Sequence, residues 1–263
     1  MKRHSITILL ASLAFSGASR VLAQEPATYL RIIREDIKEG KAAAHEKTEM
    51  AYAHAFSKTK APSYTALDAI MGPSQVWFLD RFDSFEALEE ARKVTTAEPL
   101  SATLGQLDEP DGALRTMSRT MMLRYMKDLS YTPVPGNLAK YRYVRAVTVR
   151  IRLGHQAEFA EMRKILNDSW EKSGSKQRRT VYTVAYGAPA GTYIILAGME
   201  SLKALDGPPA EALGARYTKL YQDIVVSSEA MLFAVSPKMS NPPKEYITAD
   251  PDFWAPKPKP AAK

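Results

Sequence analysis

The sequence predicts an α+β fold in which one β-α-β-β-α-β order runs twice, and three observations carry that prediction. Two strand–Gly–helix openings recur: Tyr29 to Glu39 followed by Gly40, and Tyr141 to Leu153 followed by Gly154. Setting Gly40 on Gly154 matches Tyr29 with Tyr143, Ile33 with Val147 and Ile37 with Ile151. In each copy a Gly–Pro turn then precedes a wholly apolar run: Met71-Gly72-Pro73 before Gln75 to Leu79, and Gly187-Ala188-Pro189 before Thr192 to Leu196. Repeats of this kind are read before any single motif.

The opening strand of the second copy alternates Val147, Val149, Ile151 and Leu153 with Thr148, Arg150 and Arg152, the period-2 pattern of a strand. A helix follows each Gly. Phe159, Met162, Leu166 and Trp170 make an apolar helical stripe in the second copy, where the first has His45, Thr48, Tyr52 and Phe56. Second strands are expected at Tyr64 to Ile70 and Thr180 to Tyr186, ending in turn chemistry. The third strands, Gln75 to Leu79 and Thr192 to Leu196, are apolar on both faces and so read as covered on both sides. Asp83-Ser84-Phe85-Glu86 carries a capping-box signature for a second helix, with Glu200-Ser201-Leu202-Lys203 as its counterpart. These helices are expected to reach Arg119 and Ser228, followed by final strands Thr120 to Met126 and Ala230 to Val235. The order is the ferredoxin-like arrangement, twice.

The boundaries follow. Residues 1–23 read as a secretory signal peptide: Lys2 and Arg3, a short apolar run from Ile6 to Phe15, and a Val21-Leu22-Ala23 cleavage signal. The modules span 24–127 and 141–236, joined by a linker at 128–140 that holds Pro133, Pro135 and Gly136. Residues 237–263 form a Pro-rich tail, with Tyr246, Phe253 and Trp254 able to dock its first part. The mature chain is expected to be exported, periplasmic or extracellular, with no membrane span. Loss of Lys2, Arg3 and Arg20 lowers the basic residues from 36 to 33 against 29 acidic ones, a net charge of +4. That is not the concentrated basic footprint of a nucleic-acid binder. Lys176-Gln177-Arg178-Arg179, beside Gly174 and Ser175, reads as a solvated loop. The chain has no cysteine, which excludes disulfides, thiolate metal sites and thiol nucleophiles.

The strand–Gly–helix openings, Gly72-Pro73, Trp77-Phe78-Leu79 and Asp83-Ser84-Phe85-Glu86 together resemble the dimeric α/β-barrel superfamily, NIPSNAP-like proteins being one branch. The resemblance runs from about Tyr29 to Val235. It implies that the two tandem ferredoxin-like modules pack sheet to sheet as an intramolecular dimeric α/β-barrel. The superfamily includes monooxygenases, haem proteins and members without known activity, so fold does not fix function.

His45 is the most informative position, since its twin is Phe159. Glu49 lies one helical turn on and Tyr52 two, while Trp77 and Arg81 sit on the third strand. The expected ligand pocket is His45, Glu49, Tyr52, Trp77 and Arg81, in the barrel cavity of the first module. A core histidine bonded to the backbone is the plainer alternative. No metal site is expected: His45 and His54 lie about opposite on one helix, and His155 is in the other module. No cofactor is expected either, with haem ligated by His45 as the minor alternative. Three function classes follow: an exported small-molecule-binding protein, a cofactor-free monooxygenase-like or haem-dependent enzyme, and a protein-interaction module. The oligomeric state is open.

Overall fold

A computed structural model describes residues 25–206 and 213–255. The expected leader and the last part of the Pro-rich tail, 256–263, lie outside the described residues. The first half runs β1 (Tyr29–Ile37), α1 (Ala42–Ser57), β2 (Tyr64–Met71), β3 (Gln75–Phe82), α2 (Phe85–Thr95), α3 (Leu100–Gly112) and β4 (Arg115–Tyr125). The second half runs β5 (Tyr143–Ile151), α4 (Gln156–Lys172), β6 (Thr180–Tyr186), β7 (Thr192–Met199), α5 (Gly214–Ile224) and β8 (Val225–Asn241). Two short helices follow, α6 (Lys244–Ala249) and α7 (Pro251–Trp254).

All eight strands form one closed antiparallel barrel in the order β1-β3-β2-β8-β5-β7-β6-β4. Alternation along each strand sends one set of side chains inward and the other under a helix. Leu30 and Ile32 of β1 point inward, as do Leu67, Trp77, Leu123 and Phe233 from other strands, and together they fill the barrel. The odd-numbered residues of β1 point outward: Ile33 and Ile37 pack with Phe78 and Phe56 beneath α1. In β5, Val144 and Ala146 go inward, while Val149 and Ile151 meet Phe159 and Met162 of α4. Both faces of β5 are therefore used. As expected, β3 and β7 are covered on both sides.

Several local expectations are corrected. The cap of α2 is Ser84, whose hydroxyl accepts from the Ala87 N–H at 3.0 Å, so Glu86 falls in the first turn and no box closes on Asp83. At Ser201 the counterpart starts only a single 3₁₀ turn, Leu202–Leu205, and the helix proper begins at Gly214. The helices stop at Gly112 and Ile224, well before Arg119 and Ser228, and the final strands begin sooner and run longer than expected. The linker is held on the core: Leu129 and Ala139 are buried, and Tyr131 bridges to Arg179. Tyr246 and Trp254 bury themselves at one end of the barrel, the indole N–H donating to the Ala139 carbonyl at 2.8 Å. Arg142 and Lys140 pair with Asp250 beside them. No described helix is long and apolar enough to cross a membrane.

Candidate functional site

Two places outside the barrel wall concentrate polar groups. The first lies between the outer face of β1 and helices α1 and α3. His45, Glu49 and Ala53 are the buried residues of α1, spaced one turn apart, so this helix turns a partly polar stripe to the sheet. The imidazole is 1% exposed, and its Nε2 lies 2.9 Å from Oε2 of Glu35 on β1. Glu49 Oε1 and Asp111 Oδ1 lie at 3.7 Å from the same nitrogen. Asp111 ends α3, and the Thr48 hydroxyl donates to its Oδ1 at 2.8 Å. Arg115, opening β4, pairs with Glu35 and reaches Asp111 Oδ2 at 3.0 Å.

Charge decides the protonation of this cluster. Burial alone would raise the Glu35 carboxyl, but the hydrogen bond from His45 and the charge of Arg115 together hold it below its ordinary value. For Glu49 the pull of Arg115 is outweighed. Burial, then the neighbouring Glu35 and Asp111, push it up to about 9.

The second place is a cavity of about 1330 Å³ in the second half, between the outer face of β5–β7 and helices α4 and α5. Its walls mix apolar side chains, Val147, Val149, Ile195, Leu166 and Trp170 among them, with polar and basic ones such as Arg145, Lys172 and Lys176. Arg163 of α4 lies in the lining, only 2% exposed. Its Nε donates to the Leu129 carbonyl at 3.1 Å, and its Nη2 has no hydrogen-bond partner among the described residues. The Arg179 guanidinium lies 3.8 Å from the Trp170 ring centre, and Arg163 lies 5.2 Å from it on the same ring. Burial lowers both guanidiniums to about 10, so both stay charged at neutral pH at a cost. Asp168, the acid among the described lining residues, is already engaged with Lys164, and Glu161 pairs with Arg216.

The expected pocket therefore divides. His45 and Glu49 come together. Tyr52 points to the surface edge of α3, its hydroxyl donating to Asp108 at 2.6 Å. Trp77 and Arg81 are on the inner face of β3, with the sheet between them and His45. Trp77 is 1% exposed, packs on Phe233 and donates to Gln75 at 3.0 Å. Arg81 reaches the Glu25 carbonyl and lines a space of only about 130 Å³ beside Tyr246 and Trp254. The barrel cavity expected to hold a ligand is filled by side chains, and the larger space lies in the second half. Lys176 to Arg179 is not a solvated loop: Arg178 is 8% exposed and bonds the Val134 carbonyl, and Arg179 stacks on Trp170.

Sequence reasoning missed Glu35, Asp111, Arg115 and Arg163. The last was findable, because Arg163 occupies the helix position equivalent to Glu49, nine residues past the aligned glycine. A haem iron needs an axial donor. His45 is 1% exposed and walled in by Glu35, Glu49 and Asp111, and no imidazole or thiolate is among the described residues lining the second cavity. Burial, with Tyr221 beside it, pushes the Tyr217 phenol up and away from the phenolate an iron would take. The residues present do not fit a haem.

No protein-family model matches the chain, and no curated protein matches it. Solved structures do. A candidate monooxygenase from Fusobacterium nucleatum is similar with a TM-score of 0.55 at 9% identity, covering 81% of this chain and 94% of its own. An anthrone oxidase-like protein gives 0.55 at 13% identity, covering 80% and 92%. A mutant chlorite dismutase from Candidatus Nitrospira defluvii gives 0.50 at 7% identity, covering 86% and 96%. At these identities the likeness concerns the fold: the chain has the mixed α+β architecture of the dimeric α/β-barrel proteins, with its eight-stranded barrel closed within one chain.

Proposed function

We propose that this chain is an exported binding protein for a small organic anion with an apolar, aromatic body, held in the second-half cavity. The observation that carries the reading is Arg163, a guanidinium 2% exposed with Nη2 unbonded among the described residues, in a wall that mixes apolar and basic side chains. An unpaired buried cation is costly, and a carboxylate, sulfonate or phenolate ligand supplies the acceptor it lacks. Arg179, held flat on Trp170 with its Nη nitrogens donating to Gln177 and Ser175, adds positive charge to the same wall. The cavity exceeds the roughly 300–1,000 Å³ of common ligand pockets, which suits a multi-ring body.

In this reading the halves are two ferredoxin-like modules, 24–127 and 141–236, with 128–140 between them. The strand orders β4-β1-β3-β2 and β8-β5-β7-β6 support that. Kinship with the NIPSNAP-like branch rests on the sequence patterns alone. Export rests on the leader pattern, and N-terminal sequencing of protein from its native host should find Gln24 first. A retained leader would remove that part of the reading.

The cavity is tested with 8-anilinonaphthalene-1-sulfonate, an aromatic sulfonate. Saturable one-to-one binding is expected, with quenching of tryptophan fluorescence. Arg163→Met and Arg179→Met should each weaken it roughly 10- to 100-fold, the worth of a hydrogen bond to a charged group. Affinity unchanged from that of the unsubstituted chain in both variants sinks the proposal. The fold likeness to a candidate monooxygenase and an anthrone oxidase-like protein supports a second reading, a cofactor-free oxygenase acting in the same cavity. There an anthrone CH₂ becomes a carbonyl with one atom of dioxygen, and the other leaves as water. Dioxygen uptake with anthrone, lost in Arg179→Met, separates that reading from binding alone.

A further inference from the structure

We propose that Glu35, His45, Glu49 and Asp111 hold one divalent first-row metal ion of the zinc or manganese kind, between the outer face of β1 and helices α1 and α3. This site is independent of the anion cavity, which lies in the other half.

The geometry comes first. One donor atom from each of the four residues lies within 4.8 Å of the other three. Donor atoms around a tetrahedral zinc ion with bonds of about 2.1 Å stand about 3.4 Å apart. The imidazole nitrogen lies 2.9, 3.7 and 3.7 Å from the three carboxylate oxygens, on either side of that value. The donors come from three separate elements: Glu35 from β1, His45 and Glu49 from one face of α1, and Asp111 from the last turn of α3. They converge on the Nε2 side of the imidazole.

A second observation points to a missing occupant. Glu49 is 6% exposed, yet its carboxylate makes no hydrogen bond among the described residues, and its ion contact with His45 is at 3.7 Å. Asp111 is fully buried, and its Oδ2 has no aligned hydrogen-bond donor, Arg115 meeting it only as an off-axis charge at 3.0 Å. Buried carboxylate oxygens are ordinarily satisfied. Asp111 turns its Thr48-bonded Oδ1 to the imidazole nitrogen and its unbonded Oδ2 toward Arg115, so the unbonded Glu49 carboxylate, facing that nitrogen, is the mark of a missing cation.

Charge balance agrees. With the Glu49 proton displaced by the ion, three carboxylates and one guanidinium leave two negative charges when the imidazole is neutral. One divalent ion cancels them. One imidazole nitrogen with three carboxylates suits zinc or manganese, whereas calcium takes oxygen donors alone. Arg115 stays outside the coordination sphere and tempers the charge, as partners around metal ligands commonly do. The second half shows the contrast: the equivalents of His45 and Glu49 are Phe159 and Arg163, which cannot ligate.

The mature chain is stripped with chelator in mild denaturant and refolded with Zn²⁺ or Mn²⁺ in excess. Elemental analysis should find one ion per chain, and the melting midpoint should rise by about 5–10 °C over the metal-free protein at saturating metal. His45→Phe, which copies the second half, should lose the bound ion. Glu49→Gln, isosteric and neutral, should keep the fold and the far-ultraviolet spectrum while losing most of the metal-dependent shift. No stoichiometric ion after refolding overturns the proposal. So does a melting shift of the same size in Glu49→Gln, which would place the ion elsewhere.

Discussion

Replacing Arg115 with Met lowers the stability of the metal-free protein by about 3–5 kcal/mol, the cost of removing one partner from a buried ion pair. The methionine keeps the apolar stem and removes the fork that faces both Glu35 and Asp111. Those carboxylates are 4% and 0% exposed at the side chain, so water cannot replace the lost cation. Arg115 itself is 23% exposed, which places the effect toward the lower end of that range. Urea unfolding should show a lower midpoint with an unchanged slope. A divalent ion should narrow the gap, because it supplies charge the variant lacks. An unmoved midpoint without metal would mean that the guanidinium carries no structural charge.

Gly187→Ala acts on the backbone. Gly187 has φ +89°, and a Cβ there would sit 2.1 Å from the Thr120 carbonyl oxygen and 2.9 Å from the Met121 Cα, both on β4. The left-handed conformation alone costs about 1–3 kcal/mol for a residue with a side chain. The clash cannot be relieved by a rotamer change, since the atoms it meets are main chain. The combined loss should be roughly 3 kcal/mol or more, as for overpacked sites. Gly40→Ala is the control: φ is +71°, but nothing lies within 4 Å of its Cβ position, so it should cost only about 1 kcal/mol. Thermal unfolding of the pair measures the difference. Equal losses would show that the seam yields freely at Gly187.

What the sequence disclosed depended on whether the signal was local. Periodicity exposed β3 and β7, because a strand buried on both faces is apolar throughout. The turns at Gly72-Pro73 and Gly187-Ala188-Pro189 were legible from their residues alone. The end of α3 was not. Pro110 stands inside its last turn and Asp111 is buried there, against every local expectation for both residue types. Arg115, four residues on, and Thr48, brought in by α1, explain the aspartate. The site was half visible for the same reason. His45 and Glu49 share a helix face that spacing can identify, whereas Glu35 and Asp111 join them through packing. Trp77 and Arg81 were placed with them because strand position was read without its facing, and a strand's two faces lie on opposite sides of the wall. The cavity was hidden because Leu166 and Trp170 look like core at helical spacing; they line a space instead of filling one.

The barrel closes through two joints of limited extent. β4 runs seven residues, Arg115 to Met121, before it meets β6, and the two then pair over only Met122↔Tyr186 to Tyr125↔Tyr182. β8 likewise runs from Val225 to Met231 alongside β5 alone before Leu232 reaches β2. Within each half, by contrast, β1 and β3 are paired over eight positions, as are β5 and β7. The wall is thus two plates riveted along two hems, and the hem between β4 and β6 is the shorter, four paired positions against six between β2 and β8. Rupture of that hem would leave each four-stranded plate whole. The easiest deformation is then a clamshell parting about the β2–β8 hem, which would widen the small space beside Arg81 while leaving the His45 cluster and the Arg163 cavity, each carried on its own plate, undisturbed.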